Sequence, residues 1–267
     1  MKELYYPPLL DPYVNVMRTE MGLAVLSRLL PIEAKKAISS EQVTDSLLDF
    51  VEIVNQNGLD QQIRSFAKTD KPLREEFVIQ AVLDRVTKDV DVEGNGRFWF
   101  DGDYSLALGY LRGKRAKPLW IGVVSFSLGS DAPDWDSFVK NAGFREPLPV
   151  IVQIQGPAHW SYDSDAKYND AKKILRRLRW TRALVSMVLQ WAESAGVPAV
   201  YLLPSSLNRF YHDGSLSRDK RLHMRYDVTA KRMGFEQEGP LFRALIDLFP
   251  NGDHPLKSQS PHSLTTC

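Results

Sequence analysis

The chain has 267 residues, 43% hydrophobic and 25% charged, with a formal net charge of +1. These are the proportions of a globular protein able to bury a sizeable core, and the charge balance excludes a global basic field for nucleic acid or membrane. The single cysteine, Cys267, excludes an internal disulfide and a cysteine-built metal cluster.

The opening residues, Met1 to Pro8, lack a basic head followed by an apolar run, so no secretory signal is expected. No stretch approaches the roughly 20 apolar residues of a membrane span. The sequence therefore predicts a cytoplasmic protein with no membrane partner.

Asp11-Pro12 forms a helix start, followed by Val14, Met17, Met21, Val25 and Leu29 at helical spacing. Ser39 and Gln42 make a capping box, with Val43, Leu47, Val51 and Val54 as the apolar stripe behind it. A third helix is expected from Asp70-Lys71-Pro72, carrying Leu73, Phe77, Ala81 and Val82. Residues 1–95 thus read as a helical N-terminal region.

Asp91 to Gly96 is turn chemistry. Tyr104 to Leu111 and Leu119 to Leu128 then read as an antiparallel hairpin, joined by the basic loop Arg112 to Pro118. Asp131-Ala132-Pro133 can open a short helix. Val150 to Gln155 is rich in β-branched aliphatics and reads as a central buried strand, stopped by Gly156-Pro157. A polar loop from His159 to about Asn169 leads to a long helix with Leu178, Leu184 or Val185, Val188, Trp191 and Ala195 on one face. Gly196 followed by Val197-Pro198 ends it. Ala199 to Leu203 is a second apolar strand. A last helix carries Tyr226, Val228 and Met233 and closes at Gly234-Phe235, and Phe242 to Phe249 reads as the final strand. Residues 96–250 form one α/β unit, and residues 251–267 read as a disordered tail.

Lys172, Lys173, Arg176, Arg177, Arg179 and Arg182 crowd the start of the long helix. A helix start is already positive, so this clustering calls for an anion or an acidic neighbour. Asp163, Asp165 and Asp170 are the nearby acids. His159, His212 and His223 lack metal-ligand spacing, so no metal is expected. Neither a Gly-x-Ser-x-Gly elbow nor a Walker loop is present.

The stretch from Leu119 to Phe249 resembles the Gcn5-related N-acetyltransferase (GNAT) superfamily. The likeness is carried by the strand ending Gln-Ile-Gln-Gly at 153–156, the basic helix start, and Ala-Lys-Arg-Met-Gly-Phe at 230–235. It implies an α/β (α+β) fold, with a mixed central sheet and flanking helices, that uses acetyl-CoA or another acyl-CoA. Val150 to Gln155 would be the strand beside which the pantetheine arm lies, and Ala199 to Leu203 the strand that splays away from it. The resemblance implies that Gln155, Gly156, Arg177, Arg179, Arg182 and Asn208 hold the coenzyme. Tyr226 would be the proton donor, and a small molecule or protein would supply the acceptor amine. Arg177 to Arg182 contains no glycine, and Ala230 stands where the superfamily often has its tyrosine. The alternative is therefore a catalytically inactive binding or interaction module on the same fold. Nucleic-acid binding through Arg112 to Arg115 and the arginines at the start of the long helix is a third reading, disfavoured by the near-zero net charge.

Overall fold

The computed structural model describes residues 38–56, 59–68, 73, 75–83, 98, 100–111, 117–128, 148–208 and 216–246. The first predicted helix, the basic hairpin loop at 112–116, the helix at Asp131 and the tail lie outside them. The protein is mixed α/β, built on a seven-stranded sheet.

Helix α1 (Ser40–Gln56) starts on the predicted capping box. The Ser39 N–H donates to Gln42 Oε1 at 2.9 Å and the Gln42 N–H to Ser39 Oγ at 3.2 Å. Helix α2 (Leu59–Ser65) follows. The expected third helix is instead strand β1 (Glu76–Val82). Phe77 and Ile79 are buried while Glu76 and Gln80 are exposed, a period of two rather than 3.6. Full pairing with the next strand, from Glu76↔Leu111 to Val82↔Ser105, supplies what propensity alone left open. The helical region and the later strands therefore share one sheet. Asn55 exchanges two hydrogen bonds with the Ile79 backbone, at 2.9 and 3.0 Å. Asp60 accepts from the Phe77 N–H at 2.6 Å. These side chains occupy backbone groups of an edge strand that would otherwise stay open.

The predicted hairpin is β2 (Tyr104–Leu111) and β3 (Leu119–Leu128), and the predicted central strand is β4 (Pro149–Gln155). Helix α3 (Asp165–Arg177) and helix α4 (Trp180–Ser194) precede β5 (Ala199–Leu202). Helices α5 (Leu216–Arg225) and α6 (Asp227–Arg232) then lead to β6 (Glu236–Glu238) and β7 (Leu241–Leu245). Among the described residues the sheet order is β1-β2-β3-β4-β5-β7-β6, and only β4 and β5 pair in parallel.

One face of the sheet and the helices form the main core, with Phe126 between Tyr104 and Trp191 at ring distances of 5.5 and 4.8 Å. The Trp191 Nε1–H donates to Ser46 Oγ at 3.0 Å, tying α4 to α1. Helix α4 ends in Gly196 at φ +67°, and the Val197 N–H closes back on the Ala192 carbonyl at 2.8 Å.

The long basic helix expected to run through Leu178 is two helices. Its first half is α3, which takes in the end of the predicted polar loop from Asp165 onward and is capped by the Ser164 hydroxyl accepting from the Lys167 N–H. The break is made by the chain after α2. Ala67 bridges Leu178, the Lys68 N–H donates to the Arg177 carbonyl, and the Arg179 N–H donates to the Phe66 carbonyl, both at 2.8 Å. A tertiary pairing thus takes two residues out of a helix that local spacing favours. It also redistributes the charge. Arg176 and Arg177 lie in the last turn of α3, where cations suit the helix dipole, and only Arg179 and Arg182 remain at the start of α4.

Candidate functional site

Strands β4 and β5 pair only at Val150↔Tyr201 and Ile151↔Leu202. One further bond, from the Leu203 N–H to the Ile151 carbonyl at 3.0 Å, ends their contact. Strand β4 runs on to Gln155 held by β3 alone, through a bulge at Val152. The edge of β4 facing β5 is therefore unpaired by β5 from Val152 onward, and it is buried, with Tyr226 covering it at Ile154.

Tyr226 reaches this edge from the helices. It caps α6, and its ring is packed in the main core. Its hydroxyl accepts from the Ile154 N–H at 3.0 Å and from Asn208 Nδ2 at 3.1 Å. Asn208 is placed by the one-turn helix that follows β5. Burial pushes the Tyr226 phenol up to about 12, against the opposing pull of the Ile154 N–H. Tyr226 therefore keeps its proton at neutral pH. With both of these bonds donated to its oxygen, the hydroxyl proton is directed elsewhere.

A cleft of about 610 Å³ is bounded by the start of α4 and by α5 and α6. Its floor includes Leu178, Trp180, Met224 and Val228. Arg179 and Arg182 enter from α4, and Lys68 from the bridge after α2. Helix α5 contributes Lys220, Arg221 and Arg225, and α6 contributes Arg232. Seven cations line the cleft and no carboxylate among the described residues does. Burial lowers the Arg182 guanidinium, and Arg232 and Arg179 lower it further by repulsion. Lys68 is lowered by burial and by Arg179. Arg225 is lowered chiefly by burial, with Arg221 adding to it. The Arg225 guanidinium also sits over the Trp180 ring at 5.5 Å. Such a cluster raises the energy of the cleft until an anion enters it.

The β4 edge and the cleft are joined. Arg225 precedes Tyr226 in the chain, and Trp180 packs on Gly156 at the end of β4. A Cβ at Gly156 would lie 3.1 Å from that ring. The Thr229 hydroxyl donates to Thr181 Oγ1 at 2.9 Å, holding α6 to the first turn of α4.

The predicted site residues separate accordingly. Tyr226 and Asn208 meet at the β4 edge, and Arg179 and Arg182 meet in the cleft. Gly156 backs the cleft wall. Gln155 is bound to its own strand neighbour, accepting from Gln153 Nε2 at 3.2 Å, and that amide also holds Asp101 Oδ2 at 3.0 Å. Arg177 lies outside the cleft lining and pairs with Glu75 at 2.9 Å. The residues that sequence reasoning missed are Lys68, Lys220, Arg221, Arg225 and Arg232. The α5 residues carried a readable signal, since positions 217, 220, 221, 224 and 225 share one helical face. Lys68 carried none, because the bridge to Leu178 places it.

Among the described residues there is no cluster of acidic, histidine or cysteine side chains able to hold a metal, and no helix is long and apolar enough to cross a membrane. A scan of the sequence against protein-family models finds no match, and a search of curated proteins finds none either.

Proposed function

We propose that the protein is an acyl-CoA-dependent N-acyltransferase on the Gcn5-related fold. The observation that carries this reading is the junction of two features. A cleft of seven cations stands at the start of α4, and Trp180 in its lining packs on Gly156, just past the end of the β4 strand that has parted from β5. The phosphates of the coenzyme lie in the cleft against Arg179 and Arg182. The pantetheine arm runs along the unpaired edge of β4, whose outward N–H groups take its amide carbonyls. The acyl carbonyl lies near Ile154, where a strand N–H polarises it. An amine, from a small molecule or a protein, forms the new bond to the acyl carbon as the carbon–sulfur bond breaks. The departing thiolate takes the Tyr226 proton, and the attacking nitrogen loses its own proton to solvent or to a neighbouring base. Tyr226 hands over the Ile154 N–H as the ligand enters.

A second reading is supported by that same contact. The Tyr226 hydroxyl already fills the Ile154 N–H, which fits a fold that binds coenzyme without turnover. One experiment separates the two. Thermal unfolding is followed with acetyl-CoA, and the same mixtures are assayed for free thiol against a panel of primary amines. A ligand at 100 times its dissociation constant stabilises by about 2.7 kcal/mol. A shift with thiol release supports transfer. A shift without release supports the binding module. The absence of any shift removes both.

A further inference from the structure

Helix α5 was not expected from the sequence, and it supplies three of the seven cations. Ser217, Lys220, Arg221, Met224 and Arg225 line the cleft and fall at i, i+3, i+4, i+7 and i+8, so one whole face of the helix is turned toward it. Lys220 and Arg221 are exposed, while Arg225 is partly buried. This face is set against the start of α4, which is itself positive. A helix presenting cations to another helix's positive end is unfavourable unless an anion lies between them. A solvated surface face would carry its cations away from other cations.

The cleft therefore has two basic walls where one would hold a pyrophosphate. Arg179 and Arg182 belong to the α4 wall, and Lys220 and Arg221 to the α5 wall. The volume of about 610 Å³ suits a single nucleotide-sized group rather than a polymer. The net charge of +1 supplies no global basic field for a nucleic acid. From these features we infer that the α5 wall is a second phosphate subsite, selecting a nucleotide that carries a phosphate apart from its pyrophosphate. In acyl-CoA that group is the 3′-phosphate of the adenosine. The inference rests on the acyl-CoA reading and adds to it the basis of recognition.

The test compares CoA with dephospho-CoA by isothermal titration on the full chain, together with K220A/R221A and R182A. In the unsubstituted protein CoA binds on the order of tenfold or more tighter than dephospho-CoA, the size expected for a charge-assisted contact. K220A/R221A abolishes that preference and leaves the affinity for dephospho-CoA in place. R182A weakens both ligands. Because Lys220 and Arg221 are exposed, the double variant keeps the native circular dichroism spectrum and melting temperature. Equal affinities for the two ligands overturn the subsite while leaving the acyl-CoA reading intact, and so does a preference that survives K220A/R221A. Failure of both ligands to bind overturns both readings. Displacement of CoA by a stoichiometric short single-stranded RNA overturns the nucleotide assignment in favour of a polymer.

Discussion

Tyr226 is where structural and chemical roles meet in one residue. Its ring fills the core and its oxygen satisfies the Ile154 N–H and the Asn208 amide. Tyr226→Phe leaves a buried N–H without its acceptor, which costs about 1–3 kcal/mol. It also lowers acyl transfer by about 10²-fold or more, with acetyl-CoA affinity changed far less, if the phenol is the proton donor. Chemical denaturation and steady-state kinetics measure the two effects separately. The pH dependence has a definite sign. The folded phenol titrates at about 12, above the ordinary value of 10.0, so the unfolded chain releases this proton first. The stabilisation is complete below about pH 10 and is lost as pH rises toward 12. Tyr226→Phe removes that component, and its alkaline unfolding curve is shallower across this window. Gly156 is constrained by space. Gly156→Ala places a Cβ 3.1 Å from the Trp180 ring and is expected to lower stability by about 1–3 kcal/mol. Its melting temperature tests this, and under the proposed function a loss of coenzyme affinity accompanies the fall because Trp180 also lines the cleft.

At the scale of elements, local chemistry was readable wherever neighbouring residues supply all the partners. The capping box of α1 needs only Ser39 and Gln42, and it formed as expected. Ser39→Ala removes the Oγ that caps the Gln42 N–H, and a loss of about 1 kcal/mol in denaturant unfolding is the expected outcome. The glycine ends of α4 and α6 were readable for the same reason, since Gly196 and Gly234 take positive φ values of 67° and 79°. The misread elements are those decided at a distance. Strand β1 carries helix-compatible spacing, but β2 offers it a full ladder and Asn55 and Asp60 satisfy part of its outer edge. Leu178 and Arg179 sit inside a helical pattern, but Phe66, Ala67 and Lys68 claim their backbone. That second exchange matters for the site. It ends α3 before the cleft and starts α4 within it, so four of the six clustered cations never reach the α4 start.

The whole molecule balances 34 basic against 33 acidic residues, and that balance conceals the concentration of cations in the cleft. Composition averages over the surface, whereas a cleft concentrates field lines between low-dielectric walls. Seven cations share one cavity with no carboxylate in the described lining, and the acids that neutralise the total are placed elsewhere, as with Glu75 on Arg177 and Glu238 on Arg243. The unliganded protein therefore holds an unfavourable arrangement that a polyanion relieves, and stability and binding are set against each other at the same residues. Arg182 is the clearest position, because Arg232 and Arg179 both repel it. Arg182→Met keeps an apolar stem against the wall and removes the charge. It raises the stability of the unliganded protein by less than about 1 kcal/mol, allowing for solvent screening, and under the proposed function it weakens CoA binding on the order of tenfold. Paired melting curves with and without CoA measure both effects. The unliganded midpoint rises, the ligand-induced shift shrinks, and added sulfate raises the midpoint of the unsubstituted protein more than that of the variant. A variant that is less stable without ligand and equally stabilised by CoA would show that Arg182 is packed against the wall for structure alone.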